Sequence, residues 1–240
     1  MTIDVVIPAY NEEGSIAAVI AALPRECVRR VIVADNNSRD ATAERARSAG
    51  ATVVPAPVQG YGSACLAGLA FIALDPPDIV VFIDADFSDD PTQLTMLVEP
   101  IITGRAQMVI GSRTLKPQPR DAFTPQQYYG NKLACFLMRH LLNARYTDLG
   151  PFRAIQWNAL QSLKMSDPNY GWTVEMQIKA ARAGLTWEEV AVDYRPRLTG
   201  KSKISGSLVG TFRAGYKILL LIARYGFFAP KPTGVTLNRT

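Results

Sequence analysis

Histidine is almost missing from this chain of 240 residues: His140 is its only one. A Ser-His-Asp or Cys-His catalytic arrangement would have to run through that residue, which sits between Arg139 and Leu141 in a helical pattern, and this argues against a hydrolase of that kind. Cysteine is scarce as well. Cys27, Cys65 and Cys135 are odd in number and form no Cys-x-x-Cys pair, so neither a disulfide framework nor a zinc site is indicated, and they read as small apolar side chains in a reducing compartment. No apolar stretch reaches the roughly 20 residues that span a bilayer. The run at 218–223, bracketed by Lys217 and Arg224, reads as a helix packed on the core, with surface insertion through Tyr216, Tyr225, Phe227 and Phe228 as the alternative. A basic leader and a small-residue cleavage site are also lacking after Met1, so nothing marks the chain for export and a cytoplasmic protein that begins at its first residue is expected.

Acids are missing from residues 195–240, which carry nine bases; upstream, 17 bases face 21 acids, so a net charge of +5 conceals +9 at the end and −4 before it. Such a segregated field suits a phosphate-bearing ligand, or an anionic membrane on whose inner face the protein would sit peripherally. No nucleic-acid motif accompanies it, so that partner is not expected.

What is present is ordinary globular material, 48% hydrophobic and 20% charged, enough for a sizeable core. The first half alternates short apolar runs with helical stretches, the rhythm of a βαβ sheet. Strands are expected at 3–7, 31–34, 52–54, 79–83 and 108–110, with helices at 15–23, 42–49, 63–73 and 93–102. After Gly111 the rhythm breaks. Residues 114–130, with Pro117, Pro119 and Pro125, read as a mobile connection; helices at 131–143 and 174–183, strands at 152–155 and 187–194, a basic loop at 195–206 and a last helix at 207–225 follow. A single domain of 1–240 is expected: a ligand-binding half at 1–113, an acceptor half at 114–205, and a basic, apolar end at 206–240.

In open α/β sheets ligands bind outside the carboxyl ends of the strands, and four polar segments sit there: Pro8 to Glu13, Asp35 to Ser38, Asp84-Ala85-Asp86, and Gly111-Ser112-Arg113. The acidic cluster of the third segment is the sharpest. Asp84 and Asp86 follow a wholly apolar strand, with Ser88, Asp89 and Asp90 close behind, and carboxylates so crowded call for a hard cation such as Mg²⁺ or Mn²⁺ bridging to substrate phosphates. Asp89 and Asp90 themselves read as a solvated, helix-capping turn. Asp35 either accepts an N–H from a nucleobase, uracil or guanine alike, or is an ordinary turn or cap residue. Gly60 and Gly62 either bring backbone N–H groups to an anion or form a turn. Arg113 and Lys201 are candidates for phosphate oxygens, where positive charge stabilises a departing diphosphate.

Taken together, these pieces resemble family-2 glycosyltransferases of the GT-A fold, in order and spacing across residues 3–113. Asp148-Leu149-Gly150-Pro151-Phe152-Arg153-Ala154, Val174-Glu175-Met176 and Gly200-Lys201-Ser202-Lys203 further resemble the dolichyl- and polyprenyl-phosphate sugar synthases of that family. The resemblance implies an inverting hexosyltransferase with a nucleotide-diphosphate sugar donor, UDP- or GDP-linked. It implies Asp35 at the base, Pro8, Tyr10 and Glu12 around the nucleoside, Gly60 and Ala85 lining the donor, and Asp84 and Asp86 at the metal. Two departures stand out: Ser88 where the polyprenyl-phosphate enzymes often have Gln, and no transmembrane helix after the catalytic part. Members that glycosylate hydroxyls often carry a Glu-Asp pair about a dozen residues before an Ala-Gly; here Trp172-Thr173 stands there, ahead of Ala183-Gly184. A phosphate oxyanion needs no base, so a lipid-phosphate acceptor is favoured. Asp148 and Glu175 are the candidate bases for the alternative, a hydroxyl acceptor on a lipid or metabolite; a non-catalytic nucleotide-binding module is the third reading.

Overall fold

The computed structural model describes residues 1–200 and 208–225. Seven strands form one sheet in the order β3-β2-β1-β4-β6-β5-β7. β1 (Ile3–Ala9) is an interior strand, parallel to β2 (Arg30–Asp35) on one side and to the central β4 (Ile79–Phe82) on the other, with β3 (Thr52–Pro55) parallel beyond β2. β6 (Arg153–Gln156) runs antiparallel to β4 and to β5 (Met108–Ser112), and β7 (Trp187–Ala191) closes the far edge parallel to β5. All seven residues of β1 and all four of β4 are buried, because helices cover both faces; that is why these strands read as continuous rather than alternating apolar runs.

Alternation still decides which face each side chain serves. Val6, Ile32, Val80 and Phe82 pack with α3 (Tyr61–Ile72), α5 (Pro125–Leu142), α6 (Trp157–Leu163), α7 (Trp172–Ala183) and Ile222 of α8 (Leu208–Ala223). Val5, Ile7, Val33 and Val81 pack with α1 (Ile16–Ala22), α2 (Thr42–Ser48) and α4 (Leu94–Ile102). The sheet is thus an α/β sandwich, mostly parallel, as expected.

The second half departs from the sequence reading. The expected mobile connection ends at Thr124: Pro125 opens α5 instead of belonging to a loop. The Gln127 amide N–H donates to Thr124 Oγ1 at 3.3 Å and the Thr124 N–H to Gln127 Oε1 at 2.9 Å, a capping box with proline at the first helical position, where its missing N–H costs nothing. Helix α6 was not anticipated; its buried Trp157, Leu160 and Leu163 recur at a helical spacing too short to show by periodicity. The strand expected at 187–194 stops at Ala191, and Tyr194 instead forms a lone bridge with Asp89. No helix among the described residues is long and apolar enough to cross a membrane.

Candidate active site

The carboxyl ends of β1, β2 and β4 are neighbours in the sheet, and beyond them opens a cavity of about 390 Å³. Pro8, Tyr10 and Glu12 come to it from β1, Asn36 from β2, Asp84, Ala85 and Asp86 from β4, and Gly60 and Tyr61 from the start of α3. These are largely the segments singled out in the sequence. Asp35 is half-buried one residue short of the wall; its Oδ1 accepts the Ser38 N–H at 3.3 Å. Asn36 ties the floor together, donating to the carbonyls of Ala56 and Val58 while accepting the Gly60 N–H at 2.8 Å.

The metal expectation can be tested against the side chains. Burial, then the neighbouring Asp86, push the Asp84 carboxyl from 3.8 to about 7, against the opposing pull of Tyr61, whose hydroxyl donates to Asp84 Oδ1 at 3.0 Å. A pair so short of positive charge suits a hard divalent cation. The Arg197 guanidinium lies where such charge is wanted: Nη2 is 2.5 Å from Glu12 Oε1 and Nε 3.5 Å from Asp86 Oδ2. Among the described residues no group of three or more His, Cys, Asp or Glu gathers as a metal cage. Mg²⁺ and Mn²⁺ fit such a site when phosphate oxygens and water complete the shell.

Arg197 arrives on a segment that crosses the Asp84–Asp86 turn. The Leu198 N–H donates to the Asp86 carbonyl at 3.0 Å and the Arg195 N–H to the Ser88 carbonyl at 2.9 Å, while Arg195 pairs with Asp90 at 3.0 Å. Asp90 caps the following turn, accepting from the Thr92 N–H, as its sequence position suggests. Asp89 does not: it is 1% exposed and neither oxygen has a hydrogen-bond partner among the described residues. Burial pushes its carboxyl well above the usual range, Arg113 opposing and Asp84, Asp86 and Asp148 reinforcing. The solvated turn expected at Asp89 is therefore corrected, since Tyr194 and the crossing segment cover it.

Arg113, Asp148 and Glu175 fall off the wall of this cavity. Asp148 is fully buried and takes three bonds from Arg113: the backbone N–H and Nε on Oδ2 at 2.8 Å each, and Nη2 on Oδ1 at 2.7 Å. The guanidinium packs against both Phe123 and Tyr194, whose rings stack on each other with centroids 5.0 Å apart; burial would depress its pKa, but Asp148 overrides this and raises it. Glu175 lies beneath the α6–α7 connection, accepting from the N–H groups of Ser166 and Asp167 and from Lys179 at 2.7 Å. Burial would raise its pKa, but Lys179 and these N–H groups outweigh it. Lys201 lies outside the described residues.

Arg113 also borders a second cavity of about 770 Å³, whose walls carry the cations Lys116, Arg120 and Lys132, the aromatics Phe123, Tyr128 and Tyr129, and no carboxylate. Its positive charge works against the raised pKa of Asp84. Sequence reasoning missed Asn169 and Tyr170, which reach the first cavity from the α6–α7 connection, and it placed Arg197 only within a basic loop. Nothing local to Asn169 and Tyr170 signals their position, because the fold alone brings that connection to the sheet edge.

Residues 4–161 match the model of glycosyl transferase family 2. An uncharacterized glycosyltransferase of Mycobacterium tuberculosis is 39% identical over 212 residues, 88% of this chain and 94% of that protein. The undecaprenyl-phosphate mannosyltransferase of Micrococcus luteus is 30% identical over 222 residues, 88% of this chain and 90% of that one. Among solved structures, glucosyl-3-phosphoglycerate synthase of Mycobacterium tuberculosis with Mn²⁺, UDP-glucose and phosphoglyceric acid superposes with a TM-score of 0.76 at 27% identity, covering 98% of this chain and 83% of that one.

Proposed function

Because the chain belongs to glycosyl transferase family 2 and is a glycosyltransferase, we propose that it moves a hexose from a UDP- or GDP-linked donor to a polyprenyl phosphate, in a metal-dependent, inverting displacement. The first cavity is read as the donor site, with Asp35, Pro8, Tyr10 and Glu12 at the nucleoside and Asp84 and Asp86 at the metal. Asp84 and Asp86 would hold Mg²⁺ or Mn²⁺, which would supply the positive charge that a departing nucleoside diphosphate requires. Arg197 must release Glu12 and Asp86 as the donor enters, and is then free to face the diphosphate.

The observation that carries the acceptor reading is the second cavity, whose described lining includes four cations and three aromatic rings; Arg113 and Lys116 already hold Asp148 and Asp193, each at 2.7 Å, so Arg120 and Lys132 are the cations that would meet a phosphate. A phosphate with an apolar tail satisfies both halves of that lining. Phosphate oxygen is already a nucleophile at neutral pH, so the step needs no base: it attacks the anomeric carbon as the bond to the donor diphosphate breaks. Asp148 and Glu175, with their oxygens committed to Arg113 and to Lys179 and the loop amides, are poorly placed to serve a hydroxyl acceptor.

A soluble phosphorylated acceptor is the second reading, favoured by the likeness to a synthase crystallised with phosphoglyceric acid. Radiolabelled UDP-glucose and GDP-mannose, each with Mn²⁺ and undecaprenyl phosphate, unphosphorylated undecaprenol or 3-phosphoglycerate, separate the readings. Label should appear in the organic phase with the lipid phosphate. Transfer only to 3-phosphoglycerate, or only to an unphosphorylated polyprenol, would sink the proposal.

A further inference from the structure

The wall that carries Asn169 and Tyr170 is backed by an ion pair to the C-terminal helix. Residues 164–171, between α6 and α7, are clamped onto the start of α3: the Pro168 carbonyl accepts from the Ser63 N–H at 2.8 Å and from Ser63 Oγ at 3.0 Å. A Cβ at Gly60 would fall 2.2 Å from the Pro168 carbonyl oxygen, and one at Gly62 would fall 1.9 Å from that of Asp167. Asp167 organises the turn from within. Its side chain is 4% exposed; Oδ1 accepts the N–H groups of Asn169 at 2.8 Å and Gly171 at 3.2 Å, and Oδ2 meets Lys217 Nζ at 3.0 Å. Lys217 comes from α8, and one turn further on Leu221 packs so closely that a Cβ at Gly171 would lie 2.2 Å from its Cδ1.

We infer that Asp167 and Lys217 are positioning residues for the donor nucleotide: the pair fixes the turn that presents Asn169 and Tyr170, and makes α8 part of the support of the donor cavity. The inference rests on reading that cavity as the donor site. Oδ1 of Asp167 is occupied by two backbone N–H groups, so Lys217 is what compensates Oδ2. Without it an uncompensated carboxylate is left buried, and the turn relieves this by shifting toward water. Glu175 still anchors Ser166 and the Asp167 N–H, so the shift is confined to the part that faces the cavity.

Lys217→Met keeps the apolar stem and removes the charge at a partly exposed site, and Lys217→Arg restores the charge. Two readouts are needed: hydrogen exchange of residues 166–171 without nucleotide, and calorimetric binding of UDP and of GDP with Mn²⁺. The methionine variant should exchange faster at Asn169 and Gly171 and bind the preferred nucleotide about fivefold more weakly, with Asp167→Asn alike and the double variant no worse than either, since contacting residues do not add independently. The arginine variant should return close to the parent. Unchanged exchange in Lys217→Met, or faster exchange with unchanged affinity, overturns the inference, as do effects of Asp167→Asn and Lys217→Met that simply add. A parent protein that binds neither nucleotide with Mn²⁺ overturns the donor reading itself, and that is visible without any variant.

Discussion

Replacing Asp148 by asparagine changes almost no volume and removes one buried charge, so its consequence can be worked from the geometry. Asp148 is fully buried and holds Arg113 through three hydrogen bonds; the Arg113 side chain is 12% exposed. Removing one partner of a buried pair costs about 3–5 kcal/mol, because the other charge stays buried without compensation. Some water reaches Arg113, so the lower end, about 3 kcal/mol, is the expectation. For a chain of this size each kcal/mol lowers Tm by about 2–4 °C, which predicts a fall of about 6–12 °C. Urea unfolding at pH 7, followed by two probes to check two-state behaviour, reads the change directly. The double variant with Arg113→Met removes both charges and should recover much of the loss. A loss below about 1 kcal/mol for Asp148→Asn, or a double variant as unstable as the sum of the singles, would refute the account. The same variants bear on chemistry. A positioning role for the pair predicts that Arg113→Met and Asp148→Asn lose activity together, whereas a base at Asp148 predicts that Asp148→Asn alone abolishes turnover.

Other expectations can be checked with the same preparations. Asp86→Ala should abolish transfer and Mn²⁺-dependent nucleotide binding with the fold retained by circular dichroism, since a ligand and a charge leave together. Asp35→Ala should raise KM for the donor more than it lowers kcat, because the base lies away from the reacting carbon. Gly62→Ala should weaken nucleotide binding and lower Tm, because its Cβ would meet the Asp167 carbonyl at 1.9 Å; a variant indistinguishable from the parent would remove the close approach from the argument. Asp89→Asn should stabilise the protein near pH 7–8, because the amide removes the cost of holding a buried carboxyl in its neutral form there. The sign follows from the raised pKa of Asp89: folding favours its neutral form, so the parent is unpenalised near pH 4 and loses stability as pH rises above the unfolded value. The gain should therefore vanish in denaturation at pH 4, and a gain independent of pH would contradict it.

The lining of the first cavity was legible because the physics that forms it is local. An apolar run long enough for a strand, followed at once by polar residues, places Asp84, Asp86, Tyr10 and Glu12 at one sheet edge whatever the rest of the chain does. Past Gly111 the residues that matter are paired across the sequence: Arg113 with Asp148, Glu12 with Arg197, Asp167 with Lys217. No spacing rule reports such pairs. Asp148 and Glu175 were therefore noticed as acids, and what the sequence could not disclose is that each already has its oxygens engaged. Pro125 is a different kind of miss. Thr124 and Gln127 carried the capping signal, and counting prolines as loop residues hid it.

The basic end of the chain bears on how the enzyme would meet the proposed lipid acceptor. Arg195, Arg197 and Lys217, three of its nine cations, are engaged inside the protein with Asp90, with Glu12 and Asp86, and with Asp167. Each basic residue near an anionic surface is worth about 1 kcal/mol, so the tail has less to offer a membrane than its composition suggests. The outer faces of α5 and α8, which pack against each other, make up the difference: Tyr129, Leu133, Phe136, Tyr216 and Leu220 are exposed there, with Lys132, Arg139 and Arg224 beside them. Neither helix contains an acid, and Tyr128, Tyr129 and Lys132 also line the second cavity, so a surface seated on this face would bring lipid phosphate to its mouth. Flotation with anionic liposomes should then weaken with salt, as screening at about 8 Å removes the charge contribution, and Leu133→Glu with Phe136→Glu should abolish it at low salt while leaving Mn²⁺-dependent UDP or GDP binding unchanged. If the parent stays in solution with anionic liposomes at low salt, the enzyme does not come to a bilayer by this face, and the soluble phosphorylated acceptor becomes the better reading.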